Sequence, residues 1–111
     1  MLKSSTTTSI PAGPDGLPAI HPGDMLRHEF LEPLDMTATA LARALGMPPN
    51  RIIAIVNGDR SVTAETAILF EAYFKVSADF WLSLQRTYDL KIAHADKKLA
   101  ARAKKIRAIA A

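Results

Sequence analysis

Apolar residues recur at helical spacing along most of the chain, and residues that start or stop helices punctuate them. Met25, Leu26, Phe30 and Leu31 follow Pro22 and Asp24, which suit a first helical turn, and Pro33 ends or bends that helix. A second helix opens at Thr37, a good N-cap, and runs through Leu41 and Leu45 to Gly46, which suits a left-handed C-terminal position. Pro48 and Pro49 start a third, which carries Ile52, Ile55 and Val56 and stops at Asn57-Gly58. Thr63 caps a fourth, which presents Ile68, Leu69 and Tyr73. Ser77 caps a fifth, with Phe80, Trp81, Leu84 and Tyr88 on one side. Beyond Asp96, Leu99, Ala103, Ile106 and Ala110 describe an amphipathic helix if something holds it, and a frayed tail otherwise. Residues 1–19, broken by Pro11, Pro14, Pro18, Gly13 and Gly16, predict a flexible arm or a segment ordered by a partner. The expected organisation is therefore an arm (1–19), one helical domain (20–92) and a basic tail (93–111).

Composition narrows the class. At 111 residues and 12.0 kDa there is room for one domain. Hydrophobic residues make up 49% but aromatic ones only 6%, which favours helices packed through Leu, Ile and Ala. With no cysteine, a disulfide scaffold, a thiolate zinc site and a cysteine nucleophile are excluded. No apolar run approaches the roughly 18 residues of a membrane span, and Met1–Ile10 lacks a signal-peptide core. The expectation is a soluble, cytoplasmic protein with no membrane partner.

The net charge of +3 hides an asymmetry. From Lys91 onward seven bases face one acid, whereas residues 1–90 hold seven bases and ten acids, a net of −3. The high pI belongs to the tail, so nucleic-acid binding by the globular part has to be argued from local pattern.

That pattern lies in Thr37–Gly58. Two short helices crossing steeply need a small residue where their backbones meet and a residue tolerating positive φ in the turn. Ala42 and Gly46 meet these needs, and Leu41, Leu45, Ile52 and Ile55 supply the locking faces. Ile52 lies ten residues after Ala42, as a helix-turn-helix requires. Each feature alone would also suit an ordinary pair of core helices. In a helix-turn-helix the second helix enters the major groove N-terminus first. Pro49, Asn50, Arg51 and Ala54 are then expected to face DNA, with Ile53 at the margin. Asn50 could bond an adenine edge, Arg51 a guanine or a phosphate, and Ala54 could touch a thymine methyl. Thr37 and Thr39 are placed to hold a phosphate, although simple capping also accounts for Thr37. Arg43 and Arg60 are further phosphate candidates, with plain solvation as the alternative.

The segment from His21 to Leu34, the run Pro48–Arg60, Phe80–Gln85 and Tyr88–Leu90 together resemble the HigA (VapI-like) family of addiction-module antitoxins, over about residues 20–92. The resemblance implies an all-α, five-helix lambda-repressor-like domain, with a possible extra C-terminal helix. It also implies a homodimer that represses its own operon at a palindromic operator and silences a co-encoded toxin, usually an mRNA endonuclease. Such a protein would be bacterial, cytoplasmic and nucleoid-associated when DNA-bound. Ile53 and Val56 depart from the pattern, being more apolar than a solvent-facing reading helix usually shows. The arm and tail lie outside the match.

An enzyme fits poorly. His21, His28 and His94 are scattered, and no metalloprotease or phosphate-loop motif occurs, so no catalytic residue, metal or cofactor is expected. Phe80, Trp81, Leu84 and Tyr88 are expected to form core or dimer interface, with at least one at the interface. The tail could lie on phosphates, aid dimerisation, touch the toxin, or merely add solubility. A stand-alone transcriptional regulator with no toxin is the alternative function.

Overall fold

In the computed structural model, which describes residues 16–109, proline and carboxylate at the head of the first helix act as their chemistry favours. Helix α1 (Pro22–Met25) is N-capped by His21, whose Nδ1 accepts from the Gly23 amide at 2.9 Å. It continues without a break into a π-helical segment, Leu26–Leu31. There the wider turn shows in the Glu32 amide donating to the Arg27 carbonyl, five residues back, at 2.9 Å. Helices α2 (Ala38–Leu45), α3 (Pro49–Val56), α4 (Ala64–Phe74), α5 (Ala78–Ala95) and α6 (Lys97–Lys104) follow. Among the described residues there is no strand, so the all-α class holds. Among the described residues the helices number six, the sixth being the extra C-terminal helix that the sequence left open. The chain breaks after Ala95, and Asp96 starts a new helix by accepting from the amides of Lys98 and Leu99 at 3.0 and 3.2 Å.

The described residues divide into two compact units, one from Ile20 to Arg86 and one formed by residues 16–19 and 87–109. Most of the expected flexible arm lies outside the described residues. Of its last four, Ala19 is buried.

The core of Ile20–Arg86 is centred on Trp81, which is fully buried. Phe70, Phe30 and Phe80 meet it at ring-centroid distances of 4.9, 5.0 and 5.2 Å, in the tilted and edge-on arrangements aromatic quadrupoles favour. Its Nε1 has no hydrogen-bond partner among the described residues. Of the two places expected for Trp81, core or interface, the fold puts it in the core. A small domain with few aromatics uses its one tryptophan as the centrepiece of its core.

Of the face expected for helix α4, Leu69 packs against the core but Ile68 and Tyr73 do not. Thr66, Ala67 and Phe70 point inward, while Ile68 is 59% and Tyr73 40% exposed. Apolar side chains surround this helix on nearly every side, so periodicity could not select a face. Packing did, by placing Phe70 against Trp81. Two polar side chains then fix the neighbouring connections. Gln85, buried on α5, accepts from the Val62 amide at 2.8 Å and holds the loop that follows α3. Glu71 accepts from the Ala78 amide at 3.2 Å, and Ser77 from the Phe80 amide at 3.1 Å, so together they cap α5.

Candidate nucleic-acid interface

Helices α2 and α3 pack on each other across a tight turn, and the sequence dictates the details. Thr37 Oγ1 accepts from the Ala40 amide at 3.0 Å and its carbonyl from Leu41. The amides of Ala38 and Thr39 are left without a partner among the described residues, pointing out of the helix N-terminus. At the other end Gly46 adopts φ +71°, and the Met47 amide reaches back to the Ala42 carbonyl at 2.9 Å. Ala42 is fully buried where α2 meets α3. Helix α3 begins on Pro49 and ends when Gly58 turns left-handed at φ +80°, with the Asp59 amide donating to the Ala54 carbonyl at 2.8 Å.

The faces of α3 separate cleanly. Ile52, Ile55 and Val56 are buried, so the apolar character of Val56 reflects packing. Opposite them Pro49, Asn50 and Ile53 are exposed, and Ala54 is half-buried. Arg51 is half-buried on one flank. The structure therefore puts Ile53 (38% exposed) in the middle of the outer face rather than at its margin. Asn57 continues the same stripe, exposed at the C-cap. Counting three and four residues from Asn50 reaches Ile53, Ala54 and Asn57, a signal the sequence already carried. Thr37, Thr39, Arg43 and Arg60 are all exposed. None of Arg43, Arg51 and Arg60 is engaged in an ion pair among the described residues.

A determinant missed from sequence is Gly23. A Cβ built there would collide with the carbonyl oxygen of Ile55. Helix α1 thus rests its first turn directly on the last turn of α3, which only glycine permits. His21 packs beside Gly58 at the same place. On α5, Phe80 and Leu84 are half-buried against the core, and Tyr88, four residues further on, is half-buried too. Among the described residues no cluster of His, Asp or Glu is arranged to hold a metal, and no helix is long and apolar enough to cross a membrane.

Comparison with known proteins agrees with this geometry. A helix-turn-helix family model matches residues 28–81. Virulence-associated protein I of Dichelobacter nodosus is 50% identical over 90 residues, covering 81% of this chain and 83% of its own. Antitoxin HigA-1 of Vibrio cholerae is 41% identical over 68 residues, 61% of this chain and 64% of that one. Among solved structures, Pseudomonas aeruginosa antitoxin HigA with the higBA promoter is 39% identical, with a TM-score of 0.75 over 80% of this chain and 96% of that chain. With half the residues identical to a relative over most of both lengths, and a fold similar to that of a HigA structure, the chain belongs to the HigA (VapI-like) family of helix-turn-helix antitoxins.

Proposed function

We propose that this protein is an antitoxin that binds and silences a toxin encoded beside it and represses the promoter they share. The observation that carries the DNA half of this reading is the outer face of α3. It offers an amide and an aliphatic side chain, with a guanidinium on its flank, along a short helix locked to its neighbour. A major-groove reader needs that set: Asn50 for an adenine edge, Arg51 for guanine or phosphate, Ile53 and Ala54 for thymine methyls. Thr37, Thr39, Arg43 and Arg60 would set the register by holding phosphates, the first two with the partnerless amides of α2 beside their hydroxyls. Two copies joined through the Phe80, Leu84 and Tyr88 stripe would place their reading helices about 34 Å apart on a palindrome. The HigA of P. aeruginosa, solved with the higBA promoter, is the precedent for promoter binding. Membership in an antitoxin family supports the toxin-silencing half of the reading. In this role the protein works in the bacterial cytoplasm, on the nucleoid when bound to DNA.

The experiment is growth of cells expressing the adjacent small reading frame, with and without this protein. Arrest by the neighbour, relieved by this chain, supports the antitoxin reading. A harmless neighbour, or arrest that persists, refutes it. The protein is then a stand-alone regulator, as the name of its Escherichia coli relative, the uncharacterized HTH-type transcriptional regulator YbaQ, would suggest.

A further inference from the structure

The densest run of cations in this protein lies outside the unit that carries its reading helix. The unit Ile20–Arg86 carries six Lys and Arg against eight Asp and Glu, a net of −2. A polyanion approaching it meets a surface of its own sign, relieved locally by Arg43, Arg51 and Arg60. The opposite holds after Asp96. Between Lys97 and Arg107 six of eleven residues are basic (Lys97, Lys98, Arg102, Lys104, Lys105 and Arg107) and none is acidic. Every residue of this stretch is exposed, and none of the six bases is in an ion pair among the described residues.

We infer that α6 and the residues just beyond it bind the phosphate backbone of the same duplex that α3 reads, supplying the electrostatic attraction the globular unit lacks. This rests on the DNA-binding reading above. Charge complementarity selects the occupant. The apolar edge of the segment is Leu99, Ala103 and Ile106, too thin for the large apolar face an interfacial membrane helix inserts. A protein groove would likewise gain little from one leucine and one isoleucine. A phosphate backbone asks only for cations in a row, and each neutralised phosphate releases condensed counterions. An eight-residue helix that buries nothing is marginal in water even when Asp96 caps it, and held phosphates would favour it through its positively charged side chains.

The test uses the full-length chain and a variant with all six bases changed to glutamine (K97Q, K98Q, R102Q, K104Q, K105Q and R107Q). Affinity for the chain's own promoter duplex and for a scrambled duplex is measured between 50 and 200 mM salt. Each lost phosphate contact should lower the magnitude of the salt slope by roughly 0.9, which removes roughly 3-fold from the affinity lost over that range. The variant should weaken promoter and scrambled duplex by the same factor, because phosphate contacts carry no sequence information. An unchanged slope overturns the inference. So does binding of the wild type, and not the variant, to phosphatidylserine vesicles with the DNA slope unaltered, since the tail would then serve a membrane surface. If the wild type does not prefer its promoter over the scrambled duplex, the operator reading fails. The slope on the scrambled duplex still decides the role of the tail.

Discussion

Asn50 and Arg51 are adjacent on α3 but hold different positions, the amide on the exposed outer face and the guanidinium half-buried on its flank. Asn50→Ala should therefore cost roughly 1–3 kcal/mol of operator binding and relax preference at one base pair. If Arg51 holds a phosphate, Arg51→Ala should weaken all duplexes nearly uniformly and flatten the salt slope by about one. Electrophoretic mobility shifts on single-base operator variants separate the two, and unchanged affinity in both mutants removes them from the interface. Trp81 poses a different single-residue question. Its Nε1 is buried without a partner, so Trp81→Phe removes an orphan donor along with some volume, whereas Trp81→Ala leaves a large cavity. Thermal unfolding should show the alanine variant losing about 3–5 kcal/mol and the phenylalanine variant clearly less. Equal losses would mean that the indole N–H is satisfied in solution.

At the scale of elements, what the sequence disclosed is what local chemistry decides. Thr37, Gly46, Thr63 and Gly58 mark helix ends because a hydroxyl cap and a left-handed glycine act within one turn of their own position. The inner face of α3 was legible from Ile52 and Ile55 for the same reason. Gly23, Gln85 and the buried face of α4 were not, because each is set by a partner distant in sequence: a carbonyl on α3, an amide at Val62, the ring of Trp81. Which of the four residues Phe80, Trp81, Leu84 and Tyr88 fills the core belongs to the same class. The joint between α1 and α3 gives the test. Gly23→Ala should push the first turn of α1 off the Ile55 carbonyl and cost roughly 1–3 kcal/mol. Ala42→Leu should overpack the α2–α3 crossing by a similar amount and misorient the reading helix as well. Chemical denaturation reports both losses, and DNA affinity measured on the folded fraction should fall in the Ala42 variant. Wild-type melting and binding for Ala42→Leu would contradict the assigned crossing.

For the whole molecule, the open matter is how one short reading helix achieves operator specificity. A single α3 presents about four outward side chains, enough for only a few base pairs, and the unit that carries it is net negative. The proposed dimerisation would resolve the first difficulty, since linking two modest half-site interactions multiplies affinity without new contacts at either. With Trp81 withdrawn into the core, the stripe left on α5 for such a contact is Phe80, Leu84 and Tyr88, spaced one helical turn apart. Phe80 and Leu84 also pack against the core, so Tyr88, half-buried at the end of the stripe, is the position at which a charge is introduced to test association. Tyr88→Asp should raise the dimer dissociation constant at least about tenfold, equivalent to about 1.4 kcal/mol, while circular dichroism stays helical. Sedimentation equilibrium measures the first. The melting temperature of the wild type should also rise with protein concentration, because association stabilises only the folded state. A wild type that sediments as a monomer and melts at a concentration-independent temperature would place any pairing on the DNA itself. Specificity would then come from two protomers meeting only when the palindrome brings them together.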